Sequence, residues 1–253
     1  MKAMILAAGL GTRLRPLTDD RPKALVTVAG RTLLQIALDR LRVFGVREVI
    51  VNTHHYAEMI VDYLKANDNF GMRIEISHEV ELLDTGGGLK NAAWFFLEDS
   101  ANTQEPFIVH NVDVISSIDL GRMMRQHKEQ NALATLVVQE RESSRHLLFD
   151  EQDQLCGRST RLDAKSAEAH SEFVRPAHAV KALAFSGIHV VSPRLFAKME
   201  EEGAFSIIDA YLHLAAKGER IVAVRADESY WRDLGRPESV MQAALDLENG
   251  SYL

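Results

Sequence analysis

The sequence predicts an α/β protein with a mostly parallel sheet, helices on both faces and a small hairpin-rich insert. Two observations carry this prediction. In the first half of the chain, short apolar runs alternate with segments of helical spacing, which is typical of a parallel sheet with crossover helices. From about residue 141 to residue 180 the pattern weakens into polar stretches with short strand-like pieces, which indicates hairpins.

The elements of the first half follow in regular order. The chain begins with an apolar strand, and the first helix has apolar residues at 33, 34, 37, 38 and 41 and ends near Gly45. Asp119 is a candidate N-cap for the last helix of this half. The predicted strands are 2–7, 48–52, 73–78, 107–110 and 132–139, and the predicted helices are 32–44, 56–65, 89–97 and 119–130.

The second half resumes the alternation after the insert at about 141–180. Strands are predicted at 184–191 and 221–226, and helices at 193–199 and 206–217. A last helix begins at Pro237, because proline is favoured in the first turn of a helix. The whole chain, 1–253, is therefore expected to form a single Rossmann-like domain carrying one insert or lid.

Composition excludes several classes of protein. The net charge is −7 and there is no long basic block, so nucleic acid is not an expected partner. Cys156 is the only cysteine, which excludes an intrachain disulfide. The first apolar run is too short for a signal peptide, and no run is long enough to span a membrane. We expect a cytoplasmic enzyme that is a monomer or a small homo-oligomer.

The first 25 residues form the most informative segment. A short apolar strand leads directly into a loop with Gly9 and Gly11, followed by Arg13, Arg15 and Lys23. Glycines let backbone N–H groups approach phosphate oxygens, arginine can bind phosphate through two hydrogen bonds, and lysine adds a point charge. The segment therefore predicts a site for a polyphosphate.

Two common phosphate-binding loops do not fit this segment. A Walker A loop requires Gly-Lys-Ser or Gly-Lys-Thr after four spacer residues, and neither follows Gly9 or Gly11. A dinucleotide-binding loop requires a third glycine at position 14, where the chain has leucine. The missing third glycine argues against a nicotinamide oxidoreductase.

The segment resembles the nucleotidyltransferases that join a sugar 1-phosphate to a nucleoside triphosphate. Their pattern, Leu-Ala-Ala/Gly-Gly-x-Gly-Thr-Arg-Leu-x-Pro-Leu-Thr followed by Pro-Lys-x-Leu, matches residues 6–18 and 22–25 almost position by position. The chain is most similar to the compact N-acetylmuramate-1-phosphate uridylyltransferase type, with which it shares its first nine residues, Thr-Gly-Gly-Gly at 85–88 and its short length. The resemblance covers roughly 1–120 and 230–240.

The resemblance implies roles for particular residues at the carboxyl ends of the strands. Arg13 and Lys23 would be catalytic, Asp113 and Asp233 would bind Mg²⁺, and Asn111 and Gly187 would bind the sugar. Val112 departs from the usual glycine of the Asn-Gly-Asp motif. The expected nucleotide-binding residues are Ala7, Ala8, Gly9, Gly11, Thr12, Arg13, Lys23, Glu79, Thr85, Gly86 and Gly87.

The glycine run at 86–88 has two interpretations. Glycines inside a helix are unfavourable by roughly 1 kcal/mol each, so a close approach of a flat base would justify them, whereas a flexible loop is the plainer explanation.

The expected reaction transfers a nucleotidyl group from a nucleoside triphosphate to a sugar 1-phosphate and releases pyrophosphate. UTP is the favoured nucleotide and GTP the alternative, and a non-catalytic nucleotide-sensing relative is a further hypothesis. The family's Glu-Lys-Pro, whose lysine binds the sugar phosphate, is absent from the sequence. The candidates that could replace it are Arg158, Arg161, Lys165 and Lys181.

Overall fold

A computed structural model describes residues 1–98, 104–161 and 169–249. The strands are β1 Lys2–Leu6, β2 Thr27–Val28, β3 Arg31–Thr32, β4 Glu48–Thr53, β5 Arg73–His78, β6 Phe107–Asn111, β7 Val114–Ser116, β8 Ala134–Gln139, β9 Arg145–Phe149, β10 Leu155–Arg161, β11 Ala169–Phe173, β12 Lys181–Val191, β13 Ile221–Arg225 and β14 Trp231–Asp233. The helices are α1 Leu33–Val43, α2 Ala57–Ala66, α3 Asp84–Asn91, α4 Ala93–Leu97, α5 Leu120–Glu129, α6 Ile207–Ala216 and α7 Pro237–Glu248.

The central sheet has the strand order β11-β10-β9-β12-β6-β1-β4-β5, with β8 paired to β12 and β13 paired to β8. Strands β6, β1, β4 and β5 are parallel to one another, whereas β12 runs antiparallel to β6 and β8. The prediction of a mostly parallel sheet with helices is confirmed. The chain reverses its strand order beside β1, and ligands of open α/β sheets bind at such a point, outside the carboxyl ends of the strands.

Apolar side chains fill both faces of this sheet. On one face, α1 buries Leu34, Leu38 and Leu41, as its apolar spacing predicts. On the other face, α6 buries Tyr211 together with Phe95 of α4. The sheet is thus held from two sides, which fixes the positions of the strand ends where the candidate site lies.

The insert consists of antiparallel strands, as the sequence predicts. Strand β9 pairs with β10 and β10 pairs with β11, and β9 joins the main sheet through β12. The candidate Lys165 lies outside the described residues. None of the helices in the described ranges has the length and apolar composition of a membrane span.

Two element predictions were wrong in detail. The helix expected at 193–199 is a single 3₁₀ turn, Pro193–Leu195, and the chain then turns away while Lys90 Nζ hydrogen-bonds the carbonyls of Met199 and Glu201. The helix expected at 89–97 begins earlier, at Asp84, and is divided into α3 and α4 at Ala92.

Candidate active site

The first loop is tied to the neighbouring strands by buried polar side chains. The Ala7 amide donates to Asn52 Oδ1 over 2.7 Å, and Asn52 Nδ2 donates to Glu79 Oε1 over 2.7 Å. The other Glu79 oxygen accepts from the Leu83 amide at 3.0 Å. Glu79, which is 2% exposed, therefore fixes the ends of β1 and β4 to the segment before α3. Its contact with a nucleotide base stays a prediction.

The glycine loop combines an anchored interior with an exposed rim. Leu14 is fully buried and Ala8 nearly so, whereas Gly9, Thr12 and Arg13 are exposed. Gly11 has φ +67°, a conformation that favours glycine, and a Cβ there would lie 3.0 Å from Thr18 Cγ2. The exposed backbone of this rim suits the approach of phosphate oxygens.

The glycines at 86–88 lie near the start of α3, two residues after Asp84, and are buried against other parts of the chain. The Gly86 amide donates to the Phe205 carbonyl over 2.9 Å. A Cβ at Gly86 would collide with the Phe205 ring, one at Gly87 with the Gly203 carbonyl, and one at Gly88 would lie 2.6 Å from Glu79 Oε1. Packing of α3 therefore accounts for all three glycines, and the flexible-loop interpretation was wrong. A contact between Gly86 or Gly87 and the base stays a prediction.

Thr85 also links α3 to the start of α6. Its Oγ1 accepts a hydrogen bond from the Ile207 amide at 3.0 Å, at the start of α6. Ser206 caps the same helix. Thr85 and Ser206 therefore both provide acceptors for the first amides of α6, which would otherwise lack partners.

Lys23 and Asp113 form an ion pair at the carboxyl end of β6. Their side chains are only 16% and 7% exposed. Val112 is buried in the core, and its amide donates to the Leu6 carbonyl over 3.1 Å, which continues the pairing of β6 with β1. Valine in place of the family's glycine is therefore accommodated by apolar packing.

Asp233 is brought to Asp113 by two short strands. Strand β14 pairs antiparallel with β7, so that Asp233 lies opposite Val114, and the Leu234 amide donates to the Asp113 carbonyl over 2.8 Å. Burial raises the pKa of Asp233, and the negative charge of Asp113 raises it further. The Gly235 amide, which donates to Asp233 Oδ1 over 2.7 Å, acts in the opposite direction.

Arg13 completes this group of charged residues. A Cβ on Gly235 would lie 3.0 Å from Arg13 Nη2, so the guanidinium passes close to the Gly235 backbone. The positive charges of Lys23 and Arg13 both lower the pKa of Asp233. The structure thus brings together four residues predicted from three separate parts of the chain: Arg13, Lys23, Asp113 and Asp233.

The two aspartates fit a magnesium ion. Mg²⁺ is held in proteins by one or two carboxylates and takes its remaining oxygen ligands from water and substrate phosphates. Asp113 and Asp233 provide two hard oxygen donors close enough for one charge to raise the pKa of the other group. Within the described part of the chain, no group of three or more His, Cys, Asp or Glu side chains could hold a metal ion.

A cavity of about 1160 Å³ opens beside this group. Asn111 and Gly187, the predicted sugar-binding residues, line it next to each other: a Cβ on Gly187 would lie 2.7 Å from Asn111 Nδ2. Gly187 has φ +73° and lies in an irregular part of the β12–β8 pairing, so both conformation and space require glycine. Other lining residues are Arg13, Arg141, Arg145, Arg158, Asp209, Trp231, Arg232, Asp233 and Arg236.

Arg141 is a cavity residue that the sequence analysis missed. Its Nη2 donates to the Phe185 carbonyl over 2.8 Å, and its guanidinium carbon lies 3.9 Å from the centre of the Trp231 ring. The Trp231 indole is itself fixed by a 2.8 Å hydrogen bond to the Ser186 carbonyl. Burial lowers the pKa of Arg141, while the nearby charge of Asp233 opposes that shift. Its place two residues after the predicted strand 132–139 was the signal available in the sequence.

Three of the four basic residues proposed to bind the sugar phosphate lie within the described ranges, and each occupies a different place. Arg158 lines the large cavity but is paired with Glu172 at 2.7 Å and Asp209 at 2.6 Å. Arg161 lines a smaller cavity alongside. Lys181 pairs with Asp153 at 2.7 Å and lines neither cavity.

The fold and the charged group define a nucleotidyltransferase. The family model described as nucleotidyl transferase matches residues 2–250, and the chain belongs to that family.

Among known proteins, the chain is 36% identical to N-acetylmuramate alpha-1-phosphate uridylyltransferase of Caulobacter vibrioides, over 97% of this chain and 96% of that protein. It is 29% identical to mannose-1-phosphate guanylyltransferase catalytic subunit beta of Xenopus tropicalis, over 95% of this chain but 63% of that protein.

Solved structures share the fold. The UDP-glucose pyrophosphorylase of Acinetobacter baumanii superposes with a TM-score of 0.77 at 20% identity, covering 99% of this chain and 95% of that one. HddC from Yersinia pseudotuberculosis, solved in complex with GMP-PN, gives 0.74 at 22% identity, covering 97% and 99%.

Proposed function

We propose that this protein transfers a uridylyl group from UTP to a sugar 1-phosphate and releases pyrophosphate. The observation that carries the proposal is the convergence of Arg13, Lys23, Asp113 and Asp233 beside a large cavity. The greater identity and fuller coverage of the Caulobacter uridylyltransferase support UTP over GTP.

The reaction forms one phosphorus–oxygen bond and breaks another. A phosphate oxygen of the sugar 1-phosphate attacks the α-phosphorus of UTP, and the bond to the β-phosphate oxygen breaks as pyrophosphate leaves. The second pKa of a phosphate monoester is about 6, so the nucleophile is already an anion at neutral pH and needs no general base. The protein's contribution is therefore positioning and neutralisation of charge.

Each charged residue has a role in that scheme. Lys23, held among buried groups beside Asp113, stabilises charge on the α-phosphoryl oxygens, and the exposed Arg13 holds the departing β- and γ-phosphates. Asp113 and Asp233 would hold Mg²⁺. When bound, that ion supplies positive charge for the phosphate oxygens. Asn111 and Gly187 orient the sugar in the cavity.

An assay of pyrophosphate release tests the proposal. UTP, GTP, CTP, ATP and dTTP are each paired with a panel of sugar 1-phosphates in the presence of Mg²⁺, and the Asp113→Asn protein serves as the inactive control. We expect turnover with UTP to exceed that with every other nucleotide. A preference for GTP would establish the guanylyltransferase alternative, and nucleotide binding without any turnover would establish the non-catalytic one.

Two further predictions concern the protein in solution. We infer that it is cytoplasmic and acts as a monomer or small homo-oligomer. Light scattering during size-exclusion chromatography measures the assembly directly.

A further inference from the structure

The strand that carries Asp233 is short. Strand β14 has three residues, Trp231–Asp233, and belongs to a two-stranded sheet with β7, apart from the central sheet. A two-stranded pair of this kind is only marginally stable in water unless other elements pack against it. The position of the Asp233 carboxylate therefore depends on the side-chain contacts that β14 makes on its two faces.

One face of β14 is attached to the last helix. Arg232 Nη2 pairs with Asp246 of α7 at 2.8 Å, and Tyr230 Oη, just before the strand, donates to the same carboxylate over 2.7 Å. Successive side chains of a strand point to opposite faces, so Trp231 and Asp233 share the other face. A contact that restrains the Trp231 ring therefore also restrains the direction of Asp233.

Arg141 restrains that ring. Its guanidinium carbon lies 3.9 Å from the centre of the Trp231 ring, and its Nη2 donates to the Phe185 carbonyl of β12 over 2.8 Å. The Trp231 indole also donates to the Ser186 carbonyl of β12 over 2.8 Å. Tryptophan is the best aromatic partner for a cation, and the contact gains strength where water is excluded. The indole is thus fixed at its face by Arg141 and at its edge by β12.

The two residues before Arg141 hold the segment that leads into β14. Gln139 Nε2 donates to the Ala226 carbonyl over 2.7 Å. The Glu140 amide donates to Asp227 Oδ1, also over 2.7 Å. Three consecutive residues at the end of β8 therefore contact successive parts of the segment that brings Asp233 into the site.

We propose that Arg141 is a positioning residue, which keeps Asp233 beside Asp113 by fixing the Trp231 ring. The inference rests on the proposed function, in which Asp233 binds the metal. Burial lowers the pKa of Arg141 and the nearby charge of Asp233 opposes that shift, so the guanidinium lies within the electric field of the metal site. A cation in that place repels a metal ion. Positioning and charge alone therefore predict opposite effects of Arg141 on metal affinity.

Metal binding by the protein can be measured without catalysis. The affinity for UTP is determined by calorimetry with and without Mn²⁺, in the absence of any sugar phosphate, and we call the ratio of the two affinities the metal gain. Free UTP also binds Mn²⁺, so the metal gain reports what the protein adds to that binding. No transfer occurs without an acceptor, so this measurement does not depend on turnover.

Arg141→Gln should lower the metal gain by about fivefold, because loss of a cation–π contact leaves the Trp231 ring, and with it Asp233, less fixed. Arg141→Lys keeps a cation over the ring and should restore part of the gain. At saturating substrates Arg141→Gln should also lower kcat, with little change in the KM for the sugar phosphate. A higher metal gain in Arg141→Gln would overturn the inference in favour of a purely electrostatic role. An unchanged gain with a raised KM would overturn it in favour of a contact with the acceptor.

A double-mutant cycle determines whether the effect of Arg141 passes through Trp231. Trp231→Ala should lower the metal gain by itself, and Arg141→Gln should have almost no further effect in the Trp231→Ala protein. Additive losses would overturn the inference, since Arg141 would then act by another route. Melting temperatures establish that the variants are folded. If Trp231→Ala is not, Trp231→Leu, which fills more of the space without an aromatic face, replaces it in the cycle.

Arg42→Gln is the matched control for the loss of a guanidinium group. Arg42 lies on α1, where its Nη1 reaches the Phe70 carbonyl at 3.4 Å and its Nη2 pairs with Asp39 at 3.0 Å. This variant should leave the metal gain unchanged.

Asp233→Asn separates the inference from the proposed reaction, because it removes the metal ligand itself. An equal metal gain in Asp233→Asn and the wild type would overturn the positioning role, even if UMP is transferred. If the wild type shows a metal gain that Asp233→Asn lacks but transfers UMP to no acceptor, the proposed function fails. The cycle with Trp231 then still supports or overturns the role of Arg141.

Discussion

At the scale of single residues, Lys23 and Arg13 have different surroundings although both are cations of the first loop. Lys23 is largely buried and paired with Asp113, whereas Arg13 is exposed and passes beside Gly235. A buried cation beside the reacting phosphate contributes most where charge changes in the transition state. An exposed cation on the pyrophosphate contributes to binding before and during the reaction.

We therefore predict separable effects of two substitutions. Lys23→Ala should lower kcat by about 100-fold with little change in UTP affinity, and Arg13→Ala should weaken UTP binding by about tenfold as well as slowing turnover. Calorimetry gives the affinities and steady-state kinetics the rates. A Lys23→Ala protein that binds UTP far more weakly but turns over normally at saturation would contradict the assignment.

The two aspartates lead to a second prediction at this scale. Asp113→Asn and Asp233→Asn keep the shape of the side chain but remove its charge, so each should reduce turnover by two orders of magnitude or more, a loss of about 3 kcal/mol in transition-state stabilisation. Each should also weaken binding of Mn²⁺ in the presence of UTP, observed by electron paramagnetic resonance. Unchanged Mn²⁺ affinity in either variant would exclude that residue as a ligand.

At the scale of elements, the glycine-rich start of α3 allows this helix to pack closely against the segment from Gly203 to Phe205. A side chain at Gly87 would collide with the Gly203 carbonyl before it met any ligand. Packing errors of this kind usually shift the backbone and lower stability.

Gly87→Val should therefore lower the free energy of unfolding by about 1–3 kcal/mol and impair UTP and sugar phosphate kinetics alike. Urea unfolding measures the first effect. Gly9→Ala is the matched control, because a Cβ there meets no atom within 4 Å and stability should stay within about 0.5 kcal/mol of the wild type. If Gly87→Val kept full stability and raised only the KM for UTP, the glycine would be a base-contact residue after all.

The long elements could be predicted from the sequence because each has its own periodicity. Strands β1, β4, β5 and β6 and helices α1 and α5 lie within a few residues of their predicted bounds. The two- and three-residue strands, such as β7 and β14, were not predictable, since so short a segment has no periodicity and forms only through its partner. The turn at Pro193–Leu195 was predicted too long for a related reason: its end depends on a tertiary contact with Lys90.

The candidate site, too, was predictable where its residues belong to one local motif and not where they depend on distant partners. Arg13 and Lys23 belong to one local motif, so the sequence indicated them directly. The proximity of Asp113 to Asp233 depends on the pairing of β7 with β14, and only family resemblance suggested it. Arg141 was missed because its importance comes from Trp231 and Phe185, which are distant in sequence.

At the scale of the whole molecule, buried histidines link stability to pH. His127 is 3% exposed, and its ring Nδ1 lies 2.8 Å from Thr135 Oγ1. Burial lowers the pKa of His127 from 6.5 to about 4, and the positive charges of Arg194 and Lys128 act in the same direction. Burial likewise lowers the pKa of His189 to about 3. The unfolded chain binds protons at these residues below pH 6.5, whereas the folded protein does so only near pH 4 or below.

The folded state should therefore lose stability as the pH falls from 6.5 towards 4. Each such histidine contributes about 2–3 kcal/mol to this loss by pH 4.5. The free energy of unfolding is measured by urea titration at pH 7.0 and at pH 4.5. Its decrease between the two should be smaller in His127→Gln than in the wild type by about 2–3 kcal/mol. His178→Gln, a change at an exposed position, should lose as much free energy of unfolding between the two pH values as the wild type does. Equal decreases in His127→Gln and the wild type would show that His127 does not take part.

The pairing of β7 with β14 also has a consequence for the order in which the protein becomes active during its synthesis. Translation proceeds from the amino terminus, so the first loop, Lys23 and Asp113 emerge from the ribosome well before Trp231–Asp233. A nascent chain can already pair β1 with β4 and β6, yet Asp113 still lacks both Asp233 and the amide of Leu234. Translation that halts before β14 should therefore yield a chain without turnover, because Asp233 is missing from the charged group.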